Sequence, residues 1–140
     1  MKSILNHNEL SDTEFIEQLN NCSINPKTFN HEAHLRLAWI LINELAVDKA
    51  IKAIQQLLLR FVTHVGATDK YHTTVTIIAI KAVNHFMQKS KTEKFEDFII
   101  ENNILKTNFK ALINCHYSID VFTSVRAKSS FLKPDLLPFE

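Results

Sequence analysis

Asn30-His31-Glu32-Ala33-His34-Leu35-Arg36-Leu37-Ala38-Trp39-Ile40-Leu41-Ile42-Asn43-Glu44-Leu45-Ala46 is the stretch on which the fold turns. Wound at about 100° per residue, His31, His34, Leu35, Ala38, Leu41, Ile42 and Leu45 fall on one stripe about 120° wide, the width of a helix face turned to a core. The spacing predicts a helix over about residues 30–46. Both histidines share the face of the core leucines. Arg36, Asn43 and Glu44 lie off that face, and Trp39 borders it.

The chain on either side continues in the same period. Asp48 fits the N-cap of a second long helix that runs to about Val65, with Ile51, Ile54, Leu58, Phe61, Val62 and Val65 inward. Gly66, the only glycine, stands where a left-handed residue ends a helix. A third long helix over about residues 71–89 turns His72, Val75, Thr76, Ala79, Ala82, Val83 and Phe86 inward, again with a histidine first. Upstream, Ser11-Asp12-Thr13-Glu14 reads as a capping box. It opens a short helix to about Cys22, which Asn25-Pro26-Lys27 ends.

Downstream the periods are shorter. Thr92 is a cap for a helix through Phe95, Phe98 and Ile99. A segment carrying Leu105, Phe109, Leu112 and Ile113 follows, and Ser118 is a cap for a last short helix through Val125. Residues 1–10 read as a frayed arm, and residues 131–140, interrupted by Pro134 and Pro138, as an extended strap. The expectation is an all-α fold in one domain, residues 1–140: a compact bundle of about five to seven helices with an extended C-terminal segment.

Composition narrows the function classes. One glycine and three prolines in 140 residues supply little turn material for an all-β fold. Sixteen Lys and Arg against fifteen Asp and Glu, with no dense basic run, argue against nucleic acid as a partner. Apolar runs such as Ile77-Ile78-Ala79-Ile80 are far short of the roughly 20 residues of a membrane span. The opening residues lack the apolar core of a signal peptide, so a cytoplasmic location is expected. Cys22 and Cys115 have no metal-type spacing and read as buried small apolar residues.

Three long helices joined by short connections pack antiparallel in sequence, so the first and third begin at the same end. That end gathers His31, His34 and His72, and His64 arrives there on the last turn of the helix between them. An i, i+3 histidine pair plus a third imidazole offers three nitrogens and an open position, the layout of a catalytic divalent-metal site. Burial and the positive helix ends favour the neutral imidazole that a metal or a general base requires. His31, His34, His72 and Tyr71 are therefore the candidate catalytic residues, the three histidines the candidate metal ligands, and Arg36 and Trp39 the candidate substrate contacts. The plainer reading stands beside this one: a histidine near a helix start also serves as a cap or as a partner for a loop carbonyl. His7, His85 and His116 read as surface or structural residues.

The run Phe29-Asn30-His31-Glu32-Ala33-His34-Leu35-Arg36-Leu37-Ala38 resembles the opening motif, F-x-H-x-x-H-L-R-x-A, of an uncharacterised family of small bacterial helical proteins. Tyr71-His72-Thr73-Thr74-Val75-Thr76 is similar to that family's second motif, Y-H-E-T-x-T, and the ending around Tyr117-Ser118, Ala127 and Lys133-Pro134-Asp135-Leu136-Leu137-Pro138 to its closing pattern. The likeness spans about residues 28–138 and implies no activity. It marks the same three histidines, with Arg36 and Tyr71 beside them. Thr73 stands where the family often has glutamate, so a carboxylate ligand or base at that position is missing here.

The leading expectation is an enzyme acting on a small molecule by metal-assisted or histidine acid–base chemistry, and the alternative is a non-enzymatic module that binds a small ligand or a partner protein. A carboxylate within reach of the histidines favours the first; an apolar pocket lacking one favours the second. A homo-oligomer with buried histidines is the third expectation.

Overall fold

The computed structural model describes residues 6–139, and within them the chain is all-helical, with no strand. Eight α-helices follow in order among the described residues: α1 (Asp12–Asn20), α2 (His31–Leu45), α3 (Val47–His64), α4 (Thr73–Gln88), α5 (Phe95–Glu101), α6 (Ile104–Thr107), α7 (Phe109–Asn114) and α8 (Val125–Ser129). The three long helices α2, α3 and α4 pack on one another, and the shorter elements close around them. No helix of the described residues is long and apolar enough to cross a membrane.

Helix boundaries follow local chemistry. The capping box forms as read: the Glu14 N–H donates to Ser11 Oγ at 3.1 Å and the Ser11 N–H to Glu14 Oε1 at 2.9 Å. Gly66 takes φ +73° after α3, the Gly66 N–H bonds the Thr63 carbonyl, and the Ala67 N–H bonds the Val62 carbonyl. This pair of hydrogen bonds is a Schellman ending, and glycine enters its left-handed position without steric cost. Other boundaries differ from the sequence reading. α1 stops at Asn20, before Cys22, which sits at φ 61°. Asp48 lies inside the first turn of α3, whose N-cap is Ala46 at φ 67°. α5 starts at Phe95 without a side-chain cap, because Thr92 bonds Ser90 instead. Ser118 caps no helix: it binds Asp135, and Ser124 caps α8 in its place.

α2 is buried more completely than a single stripe allows. Every residue from 35 to 41 is buried, while His31, His34 and Leu45 of the expected stripe are exposed. The cause is a second covering layer on the Arg36–Trp39 side. Residues 6–10 are no frayed arm; they lie against α2, with His7 fully buried, while residues 1–5 of that reading lie outside the described residues. His7 Nε2 donates to Glu32 Oε1 at 2.7 Å, and Arg36 donates to the carbonyls of His7 and Leu10 at 2.6 and 2.8 Å. The same guanidinium reaches Asp12 at 2.7 Å and lies over the Phe15 ring. Trp39 meets Phe95 edge-on. A buried charge is tolerated when its hydrogen-bonding capacity is met, and Arg36 meets it by fastening the arm and α1.

The C-terminal segment is extended, as its prolines require. Buried Thr74 donates to the Ser130 carbonyl and accepts from the Leu132 N–H, both at 2.9 Å. Tyr117 donates its hydroxyl to the Leu132 carbonyl at 2.6 Å, the Leu136 N–H bonds the His116 carbonyl, and Phe139 lies against the His116 ring. Burial of Tyr117, with Asp135 nearby, pushes its phenol pKa up to about 12, so it stays a donor.

Candidate functional site

The start of α2, the end of α3 and the start of α4 converge on a cavity of about 300 Å³. His31 and His34 line it from α2, Val62 and Val65 from the end of α3, and His72, Val75 and Thr76 from α4. The convergence of helix ends read from the sequence is therefore present. His64 stands apart from this cavity, exposed on a different groove of α3.

The three imidazoles have three different situations. His72 precedes α4 and caps it: its Nδ1 accepts the Val75 N–H at 3.1 Å, and its Nε2 donates to the Val121 carbonyl at 2.9 Å. A carbonyl only accepts and an N–H only donates, so these bonds fix the neutral tautomer with its hydrogen on Nε2. Burial lowers the His72 pKa against the pull of the Val121 carbonyl, in keeping with that form. With both nitrogens engaged, no lone pair remains for a metal or a substrate proton.

His31 is half engaged. Its Nε2 donates to the Leu105 carbonyl at 2.9 Å and its ring leans on Phe109, so α2 is tied to α6 and α7. Nδ1 is left as an acceptor.

His34 is the free one. Its ring stacks on Phe29 with centroids 4.2 Å apart, and neither nitrogen has a hydrogen-bond partner among the described residues. The residue is exposed along the cavity, with Phe29 against one face of the ring and the cavity wall around it. That surrounding protein, with His31 adding a smaller contribution, lowers its pKa to about 4. At neutral pH His34 is an uncharged imidazole offering one donor and one acceptor to the cavity.

The metal set expected from the sequence does not assemble. Among the described residues no group of three His, Cys, Asp or Glu side chains is placed to hold a metal ion. The reason is local: capping α4 and binding the loop before α8 consume the nitrogens of His72.

Tyr71 lines the cavity beside His72, half-buried. The two candidate substrate contacts do not. Arg36 and Trp39 face the arm and α5, where they line a separate polar hollow with Asp12 and Glu93. An i to i+2 or i+5 step from His34 turns a side chain away from the histidine face, and here that other face is covered as well. The two cysteines are also placed otherwise than expected: Cys22 is half-buried and Cys115 exposed, both as free thiols.

Two cavity residues are not among the site residues expected from the sequence. Phe29, the platform under His34, opens the motif that carries the likeness, but its position alone reads as one apolar residue before a cap. Lys70, exposed and lining the cavity, reads as one loop lysine; its one marker is adjacency to Tyr71-His72. The remaining wall is apolar, with Leu35, Ala38, Ile54, Leu58, Phe61 and Ala79 contributing, and it contains no Asp or Glu. The chain matches no protein-family model, no curated protein and no solved structure, so the likeness of motifs brings no function to this cavity.

Proposed function

We propose that the cavity between α2, α3 and α4 binds a small, largely apolar molecule and holds it without turnover. The observation that carries this reading is the wall itself: apolar side chains surround one unpartnered imidazole, and no carboxylate lines the cavity. Such a surface, mostly hydrophobic with a few converging polar groups, is the usual make-up of a small-ligand pocket. Its volume of about 300 Å³ is about twice that of an engineered cavity that takes up benzene.

Acid–base catalysis ranks second. A general base works best with a pKa near the working pH, and His34, at about 4, is a weak base under neutral conditions. No carboxylate orients it, so the base–orienter pairing common to histidine catalysis is not formed. Metal-assisted chemistry ranks lower, because His72 has no nitrogen to give.

A fragment library screened by ligand-detected NMR, with hits followed in protein-detected spectra, tests the proposal on wild type and on Ala79→Phe, which puts a ring into the cavity from half-buried Ala79. Fragments that bind wild type, shift the His34 and Val75 resonances, lose binding to Ala79→Phe and are recovered unchanged support it. Fragments that bind both proteins equally, or none that bind, overturn it. Chemical conversion of a bound fragment transfers the reading to an enzyme.

A further inference from the structure

Resting on the proposal that this cavity holds a small apolar molecule, we infer that its ligand carries one anionic head, a carboxylate on an apolar body. Four features of the wall point the same way.

Lys70 is the one formally charged residue in the lining, and it forms no ion pair among the described residues. Three cations elsewhere on the bundle, none of them in the lining, are already engaged: Lys106 with Glu32, Arg36 with Asp12, and Lys128 with the Asp69 backbone carbonyl. No Asp or Glu lines the cavity, so nothing there neutralises the ammonium or welcomes a cationic ligand.

His34 offers a neutral N–H in either tautomer, with no protein acceptor to compete for it. A carboxylate accepts from an ammonium and an imidazole N–H together, and bonds to an ionised partner are about twice as strong as neutral ones.

Both helices that bring histidines here do so at their positive ends. His31 is the first residue of α2, fifteen residues long, and His72 caps α4, sixteen residues long. The negative end of α3 arrives here as well, so two positive helix ends stand against one negative end, and the balance favours negative charge at this end of the bundle.

Finally, the apolar part of the wall limits the rest of the molecule. A cavity of about 300 Å³, lined by Leu, Ile, Phe and Val side chains, takes a short alkyl chain or one to two rings but excludes a long acyl chain. A free short-chain or aryl carboxylate therefore fits, and a membrane lipid does not.

The experiment compares octanoate, hydrocinnamate and naphthoate with their primary amides, by calorimetry, on the full chain. Wild type is expected to bind at least one acid about tenfold more tightly than its amide, the worth of one hydrogen bond to a charged group. Lys70→Gln should erase that preference and Lys70→Glu reverse it, and added salt should weaken the acid alone. Lys70 is exposed, so neither variant threatens folding. Equal binding of acid and amide, or a preference unchanged in Lys70→Gln, overturns the anionic head and leaves the cavity reading intact. Binding of neither acid nor amide, together with an empty fragment screen, overturns both.

Discussion

The His34 imidazole lies on the Phe29 ring with centroids 4.2 Å apart and planes 26° from parallel. Phe29 is itself held from other sides by Phe61, edge-on at 5.6 Å, and by Phe15. The stack places an uncharged imidazole in the cavity wall and keeps water from one of its faces. It explains how a histidine on an exposed helix turn is also the most acid-shifted one described.

That shift has a consequence for stability. His34, His7 and His72 all have lowered pKa values in the folded chain, each chiefly through burial. Below the ordinary histidine value of 6.5 the unfolded chain takes up protons that the folded chain refuses, so stability falls as pH falls. For His34 the loss runs from 6.5 down to about 4 and then levels, because both states are protonated. Urea midpoints measured across this window should fall with acid, and His34→Gln should make the fall shallower. Midpoints independent of pH, or an unaltered slope in His34→Gln, would contradict the assignment.

His72 is a cap and a tie rather than a reacting group, and two substitutions separate these roles. His72→Ala loses the N-cap bond, worth about 1 kcal/mol, and strands the Val121 carbonyl at a further cost of about 1 kcal/mol. His72→Asn restores a good cap without reaching Val121, so it should recover about half of the loss. Denaturant midpoints and hydrogen exchange at the Val75 amide report both. Equal destabilisation by the two variants would refute the capping role.

Arg36 fastens residues 7–12 through the carbonyls of His7 and Leu10 and the carboxylate of Asp12. Arg36→Gln leaves these acceptors unpaired, at a cost of about 3 kcal/mol. The amides of residues 6–10 should exchange faster, while the cavity, which Arg36 does not line, keeps its ligand affinity. A variant that loses ligand while keeping its stability would return Arg36 to the site.

Much of this fold is legible in the sequence where local chemistry decides it. The Ser11–Glu14 box, Gly66 and the proline-broken end each act within a few residues, and each forms as read. The meeting of His31, His34 and His72 follows from short connections and helical period alone. What the sequence conceals is set by distant partners. Nothing near Arg36 announces that His7 will supply an opposing carbonyl, 29 positions away. Nothing near His72 announces the Val121 carbonyl, 49 positions away, that fixes its tautomer. A histidine shows its spacing in sequence but not its partners, and the partners decide whether it caps, ties or stays free.

The junction between α2 and α3 is one residue, Ala46, held at φ 67° and ψ 163°. This region is close to glycine-only, and holding another residue there costs about 1–3 kcal/mol. The turn persists because the α2 and α3 faces it joins are already buried against each other, with Leu41 and Ala50 inside on either side of it. Glycine would remove the strain but add about 0.5–1 kcal/mol of unfolded-state entropy. Ala46→Gly should therefore stabilise the chain by about 1 kcal/mol, raising Tm by about 3 °C for a domain of this size. Ala46→Val, with a branched Cβ at the same dihedral angles, should destabilise it. Thermal melts of both variants decide: a lower Tm for Ala46→Gly would mean that the junction is relaxed and that the helix pair does not hold it under strain.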